Sequence, residues 1–354
     1  MRIALDTAGG EHPDDCLEGA LLALEQAPDL DLAIVALTTH ETAMRQRLNR
    51  ARSDVRDRIT LYTASKVVPS HIEEGMVTSV RRNRETTMAR AFTLIAEQKA
   101  DGLVSAGNTA GLVTLGGLLG RYKGTKHALA SAIPSTAGHD VVYVDAGANP
   151  DTTAEQLAQN MRWGAFIAET LYERQKPQGA FLNVGLEKGK GGTLIAEAHA
   201  IIADEGEIQL AGFGNAEPDH VFSGELPTEI GEEEGIRLDV VAADGKSGNV
   251  GLKTLKASAK ALLTFLQQRL RARSRLSPIR LAKEAAALTL LPTLLSILDD
   301  YQDKVGGGTL MGVDGVVTKV HGSSKAQHVK GGILRTHKLA ESGFLEKLRA
   351  FHRK

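Results

Sequence analysis

Short apolar runs alternate with longer segments of helical spacing along most of the chain. The alternation predicts a mostly parallel sheet covered by helices on both faces, because strands buried on both sides read as continuous apolar runs. The predicted strands are Arg2–Asp6, Leu32–Leu37, Leu103–Ser105, Val141–Asp145, Ala180–Val184, Leu238–Ala243 and Val316–Val320. The predicted helices include Cys16–Glu25, Thr87–Glu97, Leu112–Leu119, Ala154–Tyr172 and Thr193–Ile202. We expect one α/β domain over residues 1–354.

Glycine and small polar residues follow several of these strands. In the stretch VSAGNTAG, after the strand that ends at Ser105, glycines permit close backbone approach and Asn108 can cap a helix. Similar turns follow Asp6, Asp145, Val184, Ala243 and Val320. Ligands bind beyond the carboxyl ends of parallel strands, and a helix N-terminus attracts anions. The pattern indicates a phosphate-containing ligand, although any one such turn could be an ordinary strand–helix connection.

A helical hairpin is predicted over residues 253–303, before the last strand. Leucines recur at helical spacing from Leu255 to Leu270, and Ser277 followed by Pro278 would begin a second helix. The connection between them is basic and interleaved with apolar residues, with Leu270, Arg271, Arg273, Arg275, Leu276 and Ile279 as the candidate docking residues. This pattern fits a solvated helix tip, a site for anionic lipid headgroups, or a site for an acidic protein.

Composition narrows the class of protein. The 354 residues carry a formal net charge of −1, which argues against a general nucleic-acid binder. Cys16 is the single cysteine, so no internal disulfide can form and a cytoplasmic location is expected. The N-terminal stretch MRIALDTAGG lacks the apolar core of a signal peptide, and no apolar run is long enough to span a bilayer.

Common cofactor and metal motifs are absent. The GKS at Gly245–Ser247 resembles the end of a Walker A loop, but Val240 stands where its first glycine is required. No G-x-G-x-x-G opens the first helix, and neither H-E-x-x-H nor C-x-x-C occurs. We therefore expect no cofactor and no metal.

The chain resembles the bacterial phosphate acyltransferases of the PlsX type essentially from end to end. The matching segments, in order, are MRIALDTAGGEH, VRRNRETTM, SAGNTAGL, VDAGANPD, FLNVGLEKGKG, GFGNAEPDHVFSG, ADGKSGNVGLKTLK, GVDGVV and KVHGSSKA. Some positions depart from the family pattern: Glu11 replaces an Asp, Lys325 replaces an Asp, and Ala110 and Gly111 are exchanged.

The resemblance implies a reaction, a fold and partners. The family transfers a fatty acyl group from acyl-carrier protein to inorganic phosphate, and the acyl phosphate serves glycerol-phosphate acyltransferase in phospholipid synthesis. The implied fold is a three-layer α/β/α sandwich related to isocitrate and isopropylmalate dehydrogenases and to phosphotransacetylases. A homodimer, peripheral association with the membrane and no metal or nucleotide are also implied.

The expected site residues are those that supply, within these segments, the groups that acyl transfer to phosphate requires. A thioester has a good leaving group and phosphate is already an anion, so the enzyme must mainly position both and stabilise the oxyanion. The expected catalytic residues are His321, Asn108 and Lys253. The expected phosphate or substrate contacts are Gly107, Thr109, Asp145, Asn149, Asn249, Gly322, Ser323 and Ser324.

Simpler roles exist for some of these residues, and other functions fit the chain. Asp145 could cap a helix, His321 could be a turn residue, and Lys253 could be solvated. A phosphotransacetylase using acetyl-CoA is a second enzyme hypothesis, although a soluble two-carbon substrate needs no amphipathic hairpin. A non-catalytic scaffold for lipid-synthesis enzymes at the membrane is a third.

Overall fold

A computed structural model describes residues 1–69, 76–187, 189–206, 208–227, 235–273 and 307–353. The strands are β1 (Arg2–Asp6), β2 (Asp31–Leu37), β3 (Ile59–Ala64), β4 (Gly102–Ser105), β5 (Ala128–Pro134), β6 (Asp140–Val144), β7 (Gln178–Leu182), β8 (Gln209–Ala216), β9 (Glu225–Pro227), β10 (Gly235–Arg237), β11 (Val240–Ala242), β12 (Gly308–Met311) and β13 (Val316–Lys319). The helices are α1 (Pro13–Gln26), α2 (Glu41–Leu48), α3 (Ser53–Arg56), α4 (Val77–Arg82), α5 (Thr87–Ala96), α6 (Thr109–Gly116), α7 (Ala154–Tyr172), α8 (Gly192–Glu205), α9 (Pro218–Ser223), α10 (Gly245–Arg273), α11 (Ala326–Glu341) and α12 (Phe344–Phe351), with a short 3₁₀ turn at Thr38–His40.

The main sheet consists of two parallel halves joined by antiparallel strands. Its order is β3-β2-β1-β4-β13-β12-β5-β6-β11-β7-β8. Pairing is parallel from β3 to β13 and again from β6 to β8, and antiparallel at β13–β12, β12–β5 and β5–β6. The two parallel halves consequently run in opposite directions.

The strand register brings the carboxyl ends of the two halves together. Lys319, the last residue of β13, pairs with Gly308, and the adjacent Thr309 pairs with Ala130 in β5. Ala130 in turn pairs with Val144, the last residue of β6. The strands of both halves therefore have their carboxyl ends at the same level, in the middle of the sheet. The loops that follow the strands of one half face the loops that follow the strands of the other.

Alternating side chains bury the sheet on both faces. In β1, Ile3 and Leu5 belong to a core formed with α1 and α11, whereas Ala4 belongs to a core formed with α5 and α6. In β6, Val142 and Val144 pack in the core of α7 and α8, and Tyr143 faces the opposite side. The helices thus lie on both sides of the sheet, which confirms the predicted α/β class.

Some elements differ from the sequence prediction. The strand β5 was not expected because its sequence ALASAIP contains mostly alanine and serine, residues with little preference for strands. The strand β12 follows a run of glycines that conceals it in the sequence. The helix α10 begins at Gly245, several residues before the predicted hairpin. The predicted second helix of the hairpin lies outside the described residues.

Candidate active site

A cleft of about 470 Å³ opens where the carboxyl ends of the two halves meet. Its described lining comes from β5, α10, the start of α6, the end of β13 and the loops that follow β1, β4, β6 and β13. The lining residues are Gly9, Gly10, Glu11, Ala106, Gly107, Asn108, Thr109, Leu129, Ser131, Ala146, Asn249, Leu252, Lys253, Lys319, His321 and Gly322. The fold therefore brings together seven of the sequence-predicted site residues, namely Gly107, Asn108, Thr109, Asn249, Lys253, His321 and Gly322.

The loops after β1 and β4 are held together by a buried carboxylate. The Ser105 hydroxyl donates to Asp6 at 2.8 Å and accepts the N–H of Gly107 at 3.0 Å. A side chain on Gly9 would place its Cβ 2.6 Å from the Gly107 Cα, so this approach requires glycine. Burial raises the pKa of Asp6 above its ordinary value, and the hydrogen bond from Ser105 acts in the opposite direction.

The start of α6 forms one wall of the cleft. Asn108 is its N-cap residue, and its side-chain oxygen accepts the N–H of Gly111 at 3.0 Å. Gly107 and Thr109 line the cleft on either side of Asn108. The exchanged pair at Ala110 and Gly111 leaves this cap intact, because the bond uses only the backbone of Gly111.

His321 stands on the loop after β13. Its Nδ1 lies 2.7 Å from the Ser323 hydroxyl and accepts the Ser323 N–H at 3.2 Å. A nitrogen that accepts a backbone N–H carries no proton, so the neutral ring holds its proton on Nε2. His321 thereby offers a hydrogen-bond donor through Nε2 at a residue that lines the cleft.

The first turns of α10 pass unusually close to the end of β6. A Cβ on Gly245 or Gly248 would collide with the backbone of Asn149 or Asp145, respectively. Glycine at both positions lets the helix approach, and this approach places Asn249 and Lys253 in the cleft. The glycines of GKSGN, a segment without the full Walker A pattern, thus serve the packing of the first turns of α10.

Asp145 and Asn149 lie beneath the cleft and do not line it. Asp145 is fully buried, and its carboxylate accepts the backbone N–H groups of Leu129, Gly147, Ala148 and Asn149 at 2.8–2.9 Å. Burial nevertheless raises the pKa of Asp145, with these hydrogen bonds acting in the opposite direction.

The remaining predicted residues also lie outside the lining. The Asn149 side chain donates to Gln156 at 3.2 Å. Ser324 is buried, and Ser323 contacts the ring of His321. None of the four residues Asp145, Asn149, Ser323 and Ser324 therefore belongs to the described lining of the cleft.

Sequence reasoning missed Lys319 and Ser131, which both line the cleft. Lys319 is only 7% exposed, and its ammonium donates to the backbone carbonyl of Val320. The available signal was a lysine at the end of the apolar run VVTKV, since lysine is rarely buried without a partner or a function. Ser131 belongs to the unpredicted strand β5, so only the sheet pairing places it at the cleft.

The charged residues of the cleft are mostly cationic. Lys253 and Lys319 line it together with His321, and Glu11 is the carboxylate among its described lining residues. The backbone of Glu11 donates to Gly322 at 2.7 Å and joins the loops after β1 and β13. This combination of lysines, a histidine and a helix N-terminus suits an anion.

Two groups of side chains elsewhere in the described part of the chain have the spacing of a metal site. They are Asp29, His337 and Glu341, and Glu217, Asp219 and His220. Neither group contributes to the described lining of the cleft. Among the described helices, none is both long and apolar enough to cross a membrane.

The candidate docking residues lie at or beyond the end of α10. Leu270, Arg271 and Arg273 fall within this helix. Arg275, Leu276 and Ile279 lie outside the described residues.

Fold and cleft together define an α/β protein with a cleft suited to an anion between the two halves of its sheet. The solved structures with this fold include the EutD phosphotransacetylase of Staphylococcus aureus, with a TM-score of 0.55 and 17% identity over 97% of this chain and 94% of that one. A branched-chain phosphotransacylase of Enterococcus faecalis gives a TM-score of 0.56 at 14% identity, with 96% of this chain and 98% of that chain covered. At such identities the likeness establishes the fold alone.

The chain belongs to the family described as "Fatty acid synthesis protein", which it matches over residues 1–347. It is 32% identical to the phosphate acyltransferase of Bacillus cytotoxicus, over 96% of this chain and 94% of that protein. It is 31% identical to the phosphate acyltransferase of Shouchella clausii, over 97% of this chain and 95% of that protein. The family resemblance read from the sequence is thereby confirmed.

Proposed function

We propose that this protein is a phosphate acyltransferase, which transfers a fatty acyl group from a thioester to inorganic phosphate for phospholipid synthesis. The observation that carries the proposal is the convergence of Lys253, Lys319 and His321 on one cleft with the N-terminus of α6. The family membership and the phosphate acyltransferases among the relatives support the same reaction.

In the proposed reaction, a phosphate oxygen attacks the thioester carbonyl carbon. A carbon–oxygen bond forms, the carbon–sulfur bond breaks, and the thiolate leaves and takes up a proton. The two lysines hold the phosphate by charge, and the N-terminus of α6 at Thr109 contributes backbone N–H donors, with Gly107 lining the cleft beside it. His321 donates from Nε2 to the carbonyl oxygen as negative charge develops there.

Asn108 and Asn249 complete the proposed phosphate cradle, and Gly322 lets the loop after β13 approach the substrate. Asp145, Asn149, Ser323 and Ser324 act as positioning residues in this proposal, because none of them lines the cleft. Asp145 fixes the loop after β6 through three backbone N–H groups of that loop and joins it to β5 through the N–H of Leu129.

The proposed acyl donor is acyl-carrier protein, and the product is handed to a glycerol-phosphate acyltransferase. We also propose a homodimer that associates peripherally with the membrane from the cytoplasm. The basic segment at and beyond the end of α10 supports contacts with acyl-carrier protein and with the membrane, since both acyl-carrier protein and anionic lipid headgroups would complement its charge. Nucleic acid is not proposed as a partner.

Reversing Arg271, Arg273 and Arg275 to Glu separates the two partners of this segment. Binding to anionic liposomes and binding to acyl-carrier protein are measured separately. Loss of one interaction alone assigns the segment to that partner, and retention of both contradicts its docking role.

Acyl-phosphate formation is the direct test of the proposed reaction. Purified protein is incubated with palmitoyl-acyl-carrier protein and phosphate, with acetyl-CoA and phosphate in parallel. We expect phosphate-dependent loss of the palmitoyl thioester with acyl phosphate as product. Turnover of acetyl-CoA alone would instead identify a short-chain phosphotransacetylase, and turnover of neither would favour the non-catalytic scaffold.

A further inference from the structure

A second, apolar groove adjoins the active-site cleft on the other side of α10. It has a volume of about 400 Å³ and lies between α9 and the first half of α10, above β5 and β6. None of its described lining residues carries a charge. The volume falls within the range of about 300–1,000 Å³ that is typical of small-molecule sites.

Several residues that line the groove belong to the folded core. Its floor contains Ile133 and Tyr143, and Val221 of α9 forms one wall; all three are buried. Phe222 and Leu255 are partly buried and pack against the same core cluster. An apolar surface anchored in this way is present before any ligand arrives.

Leu252 connects the groove to the active-site cleft, because it lines both of them. Lys253, the next residue of α10, lines the cleft and is absent from the described lining of the groove. A thioester whose carbonyl lies beside Lys253 therefore has the apolar groove next to it, on the other side of the Leu252 side chain. The close approach of α10 at Gly245 and Gly248 sets this spacing.

We propose that the groove holds the alkyl chain of the acyl donor and so determines chain-length preference. This inference rests on the proposed acyl transfer. A fatty alkyl chain is the occupant that fits the groove, because the described lining is uncharged and Leu252 lines both the groove and the cleft. Each methylene removed from water improves binding roughly fourfold until the groove is filled. Transfer efficiency should therefore rise with chain length and then level off.

Ser258 allows the far end of the groove to be blocked with little risk to folding, because it lines the groove and is exposed. In Ser258→Trp we expect kcat/KM for palmitoyl-acyl-carrier protein to fall at least about tenfold. For butyryl-acyl-carrier protein it should stay within about twofold, as for other surface substitutions. Ala257→Trp is the matched control: Ala257 is exposed on the same helix and is absent from the described lining.

Binding of cis-parinaric acid, followed by its fluorescence, tests the groove without turnover. Wild type and Ala257→Trp should bind the probe, and Ser258→Trp should bind it at least about tenfold more weakly. Equal binding by all three proteins overturns the proposal. If no thioester is turned over but this binding difference holds, the proposed reaction fails and the alkyl site stands. Equal losses for both acyl chains together with a changed mass in sedimentation would make the groove a subunit contact and overturn the proposal.

Discussion

The Ser105 hydroxyl donates to the Asp6 carboxylate at 2.8 Å and ties together two strand ends that are 99 residues apart in the chain. Both residues are fully buried, so neither can exchange this bond for water. The Gly107 N–H that Ser105 accepts belongs to the loop that lines the cleft. The bonds of Ser105 therefore also fix the position of a loop that lines the cleft.

Replacing Ser105 with Ala should lower the free energy of unfolding by about 1–3 kcal/mol, because it leaves a buried carboxylate with one partner fewer. Urea unfolding measures the change. Ser79→Ala, at an exposed serine, is the control and should stay within about 0.5 kcal/mol. Equal unfolding midpoints for the two variants would contradict a stabilising role for the bond.

His321→Ala should reduce kcat by about 100-fold or more if the ring donates to the developing oxyanion. His321→Gln retains an N–H donor and should recover part of the loss, whereas a proton-transfer role would leave both variants equally slow. Steady-state kinetics with saturating phosphate distinguish these outcomes. Wild-type kcat in His321→Ala would remove the residue from the mechanism.

Lys319→Met should raise KM for phosphate about tenfold to hundredfold, the range expected for losing a hydrogen bond to a charged group. KM for the acyl donor should change little, because the lost contact is to phosphate. Initial rates at varied phosphate provide the measurement, with the exposed Lys347→Met as control. An unchanged KM for phosphate would place the anion away from Lys319.

His127 should make the protein less stable in mild acid. Burial, reinforced by the nearby cation of Arg121, lowers its pKa from 6.5 to about 4. Between these values the unfolded chain binds more protons than the folded one, so stability is present above 6.5 and is lost as the pH falls towards 4. The loss amounts to at most roughly 3 kcal/mol.

Urea unfolding of His127→Gln across this pH range tests the assignment. A side chain that does not titrate should give a flatter dependence of stability on pH than the wild type. His40→Gln, at an exposed histidine, is the control. The same slope in His127→Gln and wild type would show that other groups cause the acid sensitivity.

Local signals in the sequence were sufficient to predict many of the strands and helices of this protein and the kind of site that it carries. Apolar runs predicted strands such as β1 at their observed bounds, and helical spacing predicted α7 at its observed bounds. The glycine-rich turns after those strands indicated an anion site, because glycine, asparagine and helix starts have that chemistry wherever they occur.

Tertiary structure decided which of those turns meet and what stands between them. The sequence could not show that the sheet has two opposed halves, because the alanine-rich strand β5 and the glycine-flanked β12 carry weak local signals. Lys319 reaches the cleft only through the register of β13. Leu252 lines both cleft and groove only because glycines let α10 approach β6. Local propensity acts over a few residues, whereas a site assembled from distant strand ends depends on pairings that only the folded chain contains.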